Sequence, residues 1–351
     1  PPTTTLEWNR RQRQMCIRDS VWMGRTRSLR ANQQRTNRGR PRAVHSHGVE
    51  NLSHETRLGL FYATAAFLLW GIVPVYWKML QHVPALEILS HRVVWGLVFV
   101  AVWMTIRKRW PELREVFRRP RTVAALLAST VFIAANWGLF IYAVNTNRVL
   151  ATSLGYYINP LVNVLLGLVV LHERLNRRQW FAVGLAASAV ILLTVQAGEL
   201  PWISLVLPVS FGLYSLLRKM VHADAVVGLT FETAALAPFA VGFLLLQEHR
   251  GAGALGHQGV TIDALLIGAG AVTAVPLMLF TLGVRRIPRS TAGLLQYIAP
   301  TCTFLLAVLL YGEEISTAHA VGFGLIWLAL AIYTLDLRSR LRREPALDSS
   351  E

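Results

Sequence analysis

The sequence predicts an all-α polytopic membrane protein with ten transmembrane helices arranged as a 5+5 inverted-topology repeat. Three observations carry this. Long runs are free of charge, basic residues alternate from side to side between those runs, and one motif returns 140 residues after it first occurs. Composition agrees: 54% of the residues are hydrophobic and 15% charged, where a soluble domain carries about 25% charged residues.

The first span rests on Leu58 to Trp77, which contains no charged residue. A bilayer core about 30 Å thick needs about 20 apolar residues of helix. Similar segments recur, giving spans at 58–78, 86–106, 123–144, 150–171, 179–197, 200–218, 228–247, 262–284, 290–311 and 318–337. Most links between them are short, so little mass lies outside the membrane.

Orientation follows from Lys and Arg in the links. The loop after the second span, "RKRWPELREVFRRPR", has seven, and "HERLNRRQ" after the fourth has three. Arg218 and Lys219 follow the sixth, "RRIPR" follows the eighth, and "RSRLRR" follows the tenth. The opposite side has only Arg148 and Arg250, with Lys78 at the edge of the first span. Both termini are therefore expected in the cytoplasm. The net charge of +16 marks a membrane face, since a nucleic-acid footprint would not alternate with the spans. The two cysteines, Cys16 and Cys302, build neither a disulfide scaffold nor a cysteine metal site.

Residues 1–57 hold 12 Arg and no apolar run of the kind a signal peptide needs. "QMCIRDS" resembles translated adapter sequence, so an artefactual or overextended start is expected. Residues 1–56 are left out of the fold reasoning as a polar leader.

"LGYYINPLVNVLLGLVVLHE" (154–173) and "LLQYIAPTCTFLLAVLLYGE" (294–313) share a Tyr-Ile-x-Pro core and a terminal Glu. A shift of 140 aligns Tyr157 with Tyr297, Pro160 with Pro300, Glu173 with Glu313 and Phe140 with Phe280. A shift of 141 aligns Gly71, Lys78 and Met79 with Gly212, Lys219 and Met220. The chain therefore reads as two five-span units, 58–197 and 198–338, followed by a tail at 339–351. Five is odd, so the second unit enters the membrane from the other side. Such inverted repeats are characteristic of secondary transporters, whose substrate site lies near the midplane between the halves.

The strings "FLLWGIVPVYWK", "VPALEILSHRVVWG", "NWGLFIYAVN", "SLGYYINPLVNVLLG" and "LLQYIAPTCTFLLAVLLYGEE" resemble the RarD group of the EamA family, within the drug/metabolite transporter superfamily. The resemblance covers about residues 58–338. It implies an inner-membrane permease of the kind associated with chloramphenicol sensitivity. Small multidrug antiporters of that superfamily hold cations on an acidic residue in the first span. This chain has none between Leu58 and Trp77.

Ionisable groups inside a membrane are costly and are functional candidates by default. Glu87, His91 and Arg92 open the second span, with Glu87 and His91 on one helix face and Arg92 about 140° round from Glu87. The alternative is a helix-end anchor that snorkels to the headgroups. Lys78 faces this cluster and could pair with Glu87. Pro160 and Pro300, near the centres of the fourth and ninth spans, are expected to break their helices and free the carbonyls of Tyr156 and Gln296. Interrupted helices at matching places point to a binding site. Tyr156, Tyr157, Asn159, Gln296 and Tyr297 flank the breaks, and Asn136 and Trp137 in the third span are further candidates. Ordinary kinks are the alternative there. Glu87 or His91 is the expected proton-responsive group. Glu232, near the inner end of the seventh span, is either proton-linked or snorkelling. Glu173, Glu313 and Glu314 read as structural, and tryptophans at span ends as an interfacial belt.

"GAGALG" at 251–256 lies in a loop with no preceding strand, so it is not a dinucleotide motif. The "NLS" at 51–53 lies in the expected cytoplasmic leader. No P-loop, HExxH or GxSxG occurs, and no cofactor or metal is expected. The function expected is a secondary transporter moving a small polar or zwitterionic solute, amino-acid-like or amphenicol-like, across the inner membrane. An integral-membrane enzyme or a flippase on a lipid-linked substrate is the alternative. The expected partners are the solute and the bilayer; a homodimer is left open.

Overall fold

The computed structural model describes residues 54–343 apart from 171, 173, 174, 199 and 222. Residues 1–53 of the leader, Glu173 and Glu199 lie outside the described residues, as does the tail beyond 343. Every regular element among the described residues is helical: α1 (His54–Met79), α2 (Ala85–Ile106), α3 (Trp110–Phe117), α4 (Pro120–Asn145), α5 (Val149–Val170), α6 (Arg177–Ala197), α7 (Trp202–Lys219), α8 (Ala225–His249), α9 (Val260–Val284), α10 (Arg289–Leu295), α11 (Ile298–Leu305), a π-turn (Leu306–Leu310) and α12 (Thr317–Arg343).

Among the described residues, nine helices are long and apolar enough to cross a membrane. The sequence predicts ten. The remaining one is α7, whose 18 residues end in Arg218 and Lys219, and these two cations dilute its apolar run. The protein is a polytopic, all-helical membrane protein.

Local chemistry sets the helix ends. Pro120 opens α4, where a missing N–H costs nothing. Asn176 and Gln179 form a reciprocal capping box at the start of α6. Gly198, at φ +70°, ends that helix in the left-handed conformation that glycine adopts freely. The Asn176 amide also donates to Asp336 (2.7 Å), tying α6 to α12.

Helix packing follows the repeat. α9 lies on α1 as α4 lies on α7, and α11 packs on α1 as α5 packs on α7. α2 meets α8, α5 meets α11 and α6 meets α12, each pairing an element with its own counterpart. The match extends to single residues. A Cβ on Gly71 would lie 2.6 Å from Cys302 Cβ, and one on Gly212 would lie 2.7 Å from Leu166 and 3.4 Å from Val162. Gly71 and Gly212 are aligned by the repeat, as are Val162 and Cys302. Small residues at such crossings let backbones approach, which is how membrane helices gain packing contact.

The repeat is not obeyed everywhere. Pro160 does not break its helix: α5 runs through it from Val149 to Val170. Only the ninth span is interrupted, at Gln296–Tyr297 between α10 and α11, four residues before Pro300. The difference lies in packing. In the two spans, 61% of the Val149–Val170 window is buried against 17% of Thr291–Leu310. Neighbours on all sides hold α5 straight enough to stay helical, while the sparsely covered ninth span relaxes at the lost hydrogen bond.

Candidate functional site

Arg92 is the centre of one polar cluster. It lies seven residues into α2, about 10 Å from the helix start. Its guanidinium lies over the Trp137 ring of α4 at 4.2 Å and over the Trp77 ring of α1 at 5.4 Å. The Nε is buried without a hydrogen-bond partner. The Tyr156 phenol of α5 is the titratable group that acts on it, and no ion pair holds it among the described residues. Tyr156 donates to Asn136 Oδ1 (3.3 Å). The Asn136 amide in turn donates to Leu207 O (2.9 Å) and Ser210 Oγ (3.1 Å) of α7. Phe140 and Phe211 pack on the Tyr156 ring. Five helices, α1, α2, α4, α5 and α7, thus converge on one cation lined by aromatic faces and neutral amides.

Several expected members are elsewhere. Glu87 is buried, but its Oε1 accepts the Ala254 N–H of the loop between α8 and α9 at 2.6 Å. It clamps that loop onto the bundle, and its Oε2 is buried with no partner. Lys78 does not pair with Glu87. It donates to Val144 O (3.2 Å) and to the Asn147 side chain, over the Tyr311 ring. Lys78 is thus a strut between the C-terminal ends of α1 and α4. His91 is buried with Nδ1 unpartnered, and Asp263 is its charged neighbour.

The prolines bring a different group together. Tyr157 stacks on Tyr297 at 6.4 Å and 18°, and its hydroxyl meets Thr301 Oγ1 at 2.6 Å. Ser153 donates to Pro300 O (2.8 Å). Phe323 and Trp327 of α12 close around the Tyr157 ring. This aromatic contact joins the fourth, ninth and tenth spans. It lies about 100° round α5 from Tyr156, so the two tyrosines serve different neighbourhoods. Gln296 donates to Gly293 O (3.0 Å) within its own turn. Asn159 is buried with Oδ1 free.

A second buried cluster lies where the C-terminal end of α7 meets the N-terminal part of α8. Glu232 is 1% exposed, so it does not snorkel. Ser129 of α4 donates to its Oε1 (3.1 Å), and Arg218 of α7 approaches the same oxygen at 3.8 Å. The Tyr214 hydroxyl lies beside it. Asp224 caps α8 and holds Arg109 (3.2 Å), from the link between α2 and α3, and Arg285, at the end of α9.

Glu313 accepts the first two N–H groups of α5, from Val149 (2.7 Å) and Leu150 (2.8 Å). Burial raises its carboxyl, while those two donors and Lys78 oppose the rise. Glu248 hydrogen-bonds His257 on the loop between α8 and α9 and raises the imidazole above its ordinary value of 6.5.

Trp77, Ser129, Tyr214 and Arg218 escaped the sequence reading. Trp77 ends a span and reads as belt, yet it is buried against Arg92. The others come from distant spans and carry no local motif.

The pattern of the EamA-like transporter family matches the chain twice, over residues 57–195 and 201–335. The chain belongs to the EamA-like transporter family. Among relatives of this EamA chain, Protein RarD of Escherichia coli (strain K12) is 44% identical over 289 residues, 82% of this chain and 98% of the relative. The uncharacterized transporter YojE of Bacillus subtilis (strain 168) is 42% identical over 80% of this chain and 94% of its own. The chloramphenicol-sensitive protein RarD of Pseudomonas aeruginosa is 30% identical over 82% of this chain and 96% of its own. A protein crystal structure with 18% identity superposes with a TM-score of 0.52, covering 80% of this chain and 98% of the other, and shows the fold alone.

Proposed function

We propose that this EamA chain is a secondary transporter that moves a small polar organic solute across the bacterial inner membrane by alternating access. The observation that carries this reading is Arg92, a cation inside the bundle that faces aromatic rings and amides but no carboxylate. A resident charge left unpaired at membrane depth is expensive, and a site that a ligand completes explains it. The paired helix contacts support two near-equivalent halves that rock against each other. In this reading α7 is the sixth of ten spans, and the two units occupy 58–197 and 198–338. Both termini are cytoplasmic, and Glu232 is the proton-responsive carboxylate that couples transport to the proton gradient.

The test is counterflow of labelled solutes in liposomes holding the purified full chain. Arg92→Ala should lower uptake at least tenfold, and an imposed pH gradient should change the rate in wild type but not in Glu232→Gln. Uptake equal to that of empty liposomes across polar solutes would sink the transporter reading. Topology is checked separately. Reporters fused after Glu199 and after Arg338 should report the periplasm and the cytoplasm respectively. Both on one side would contradict the five-span unit.

A further inference from the structure

We infer that the solute recognised at Arg92 is a monoanionic carboxylate with a flat, apolar body. This rests on the transporter reading and narrows its substrate class. The sequence suggests mixed charge, because Glu87 lies five residues from Arg92. The structure does not pair them: Glu87 Oε1 accepts the Ala254 N–H, and no ion pair joins Glu87 to Arg92. What remains near the guanidinium is positive charge, two indole faces, a phenol and an amide.

Each surface has a chemical meaning. Trp77 and Trp137 lie under the guanidinium face, so cation–π attraction holds the group in place. Ring faces do not use its in-plane N–H donors, and Nε has none of its own partners. A carboxylate matches that planar fork with two parallel, charge-assisted hydrogen bonds. An ammonium group would meet the same cation, and no ion pair of Arg92 with a carboxylate offsets it among the described residues. A neutral amide would satisfy the donors without the charge. The Trp137 and Tyr156 rings beside the guanidinium favour a flat apolar body next to the carboxylate.

The experiment uses four matched probes: phenylacetate, phenylacetamide, phenethylamine and phenylalanine. Binding to the full chain in detergent is measured by calorimetry, and counterflow is measured in liposomes. Phenylacetate should bind wild type about 100-fold more tightly than phenylacetamide, the span expected for charge-assisted hydrogen bonds in a buried site. Phenylalanine and phenethylamine should bind more weakly than phenylacetate. Arg92→Ala should erase the preference, and Arg92→Lys should keep part of it, since lysine holds the charge but not the fork. Circular dichroism and melting of both variants establish that they fold. The inference is overturned if phenylacetate does not bind wild type. It is also overturned if any of the other three binds as tightly, or if Arg92→Ala keeps the preference. Phenylacetate that binds through Arg92 but shows no counterflow would leave the anion site standing and sink the transporter reading instead. Arg92-independent counterflow of phenylacetamide would do the reverse.

Discussion

Arg218→Ala is expected to remove most of the folded protein from the membrane, and Glu232→Gln in the same chain to restore it. The pair joins the last turn of α7 to the first half of α8 at 3.8 Å, with side chains 14% and 1% exposed. It is not fully satisfied: Arg218 Nη1 and Glu232 Oε2 are both buried without partners. In such a setting the attraction between two charges barely offsets their desolvation, yet deleting one strands the other. Breaking a buried pair from one side costs about 3–5 kcal/mol. Removing both charges is often nearly neutral, because a neutral amide demands far less from its surroundings. Ser129 can still donate to a glutamine oxygen in place of Glu232 Oε1. A third variant tests the geometry: a Cβ on Gly228 would lie 2.0 Å from Arg218 Nη1. Gly228→Ala should therefore displace the guanidinium and reproduce part of the Arg218→Ala defect. Melting of the purified variants in detergent reads all three. An Arg218→Ala protein as stable as wild type, or a double variant no better than the single, would show that the two groups do not form a coupled pair.

How far the sequence foretold this is best judged residue by residue. Run length alone places most helices, because a bilayer imposes one length and one polarity on every span. It is weakest at α7, where Arg218 and Lys219 fall inside the helix. The identity of Arg92, Asn136, Trp137 and Tyr156 as candidates is legible, because polar groups at membrane depth are few and each needs a reason. Their partners are not. Glu87 lies five residues from Arg92, but its hydrogen bond goes to Ala254, 167 residues along the chain. Lys78 reaches Asn147 rather than Glu87 for the same reason. Where a side chain points depends on which helices pack beside it, and that information is spread over the whole chain. Local chemistry also misjudged Pro160. Proline removes one hydrogen bond anywhere, but whether the helix opens there depends on how tightly its neighbours hold it.

Gly270→Val is expected to prevent stable assembly, and Gly270→Ala to weaken binding at Arg92 before the fold fails. A Cβ at this position of α9 would lie 2.4 Å from both the carbonyl carbon and the oxygen of Trp95, and 2.7 Å from Gly96 N. These are backbone atoms of α2, so no side-chain rotation relieves the clash. Overpacking costs about 1–3 kcal/mol where side chains can adjust; here a whole helix has to move, and the larger valine exceeds that range. Trp95 follows Arg92 by three residues, about one turn. The crossing that Gly270 permits therefore also sets where the guanidinium lies relative to Trp137 of α4 and Trp77 of α1. Alanine should push α2 outward by a fraction of the missing space and lengthen the cation–π contacts, which now stand at 4.2 and 5.4 Å. The control is Gly184 of α6, around which nothing lies within 4 Å. Gly184→Ala should be neutral or slightly stabilising, since alanine favours helix over glycine by up to about 1 kcal/mol. Membrane yield and melting temperature separate the outcomes, with ligand binding as the finer readout. A Gly270→Val protein with wild-type yield and melting temperature would mean that α2 and α9 do not meet at this glycine.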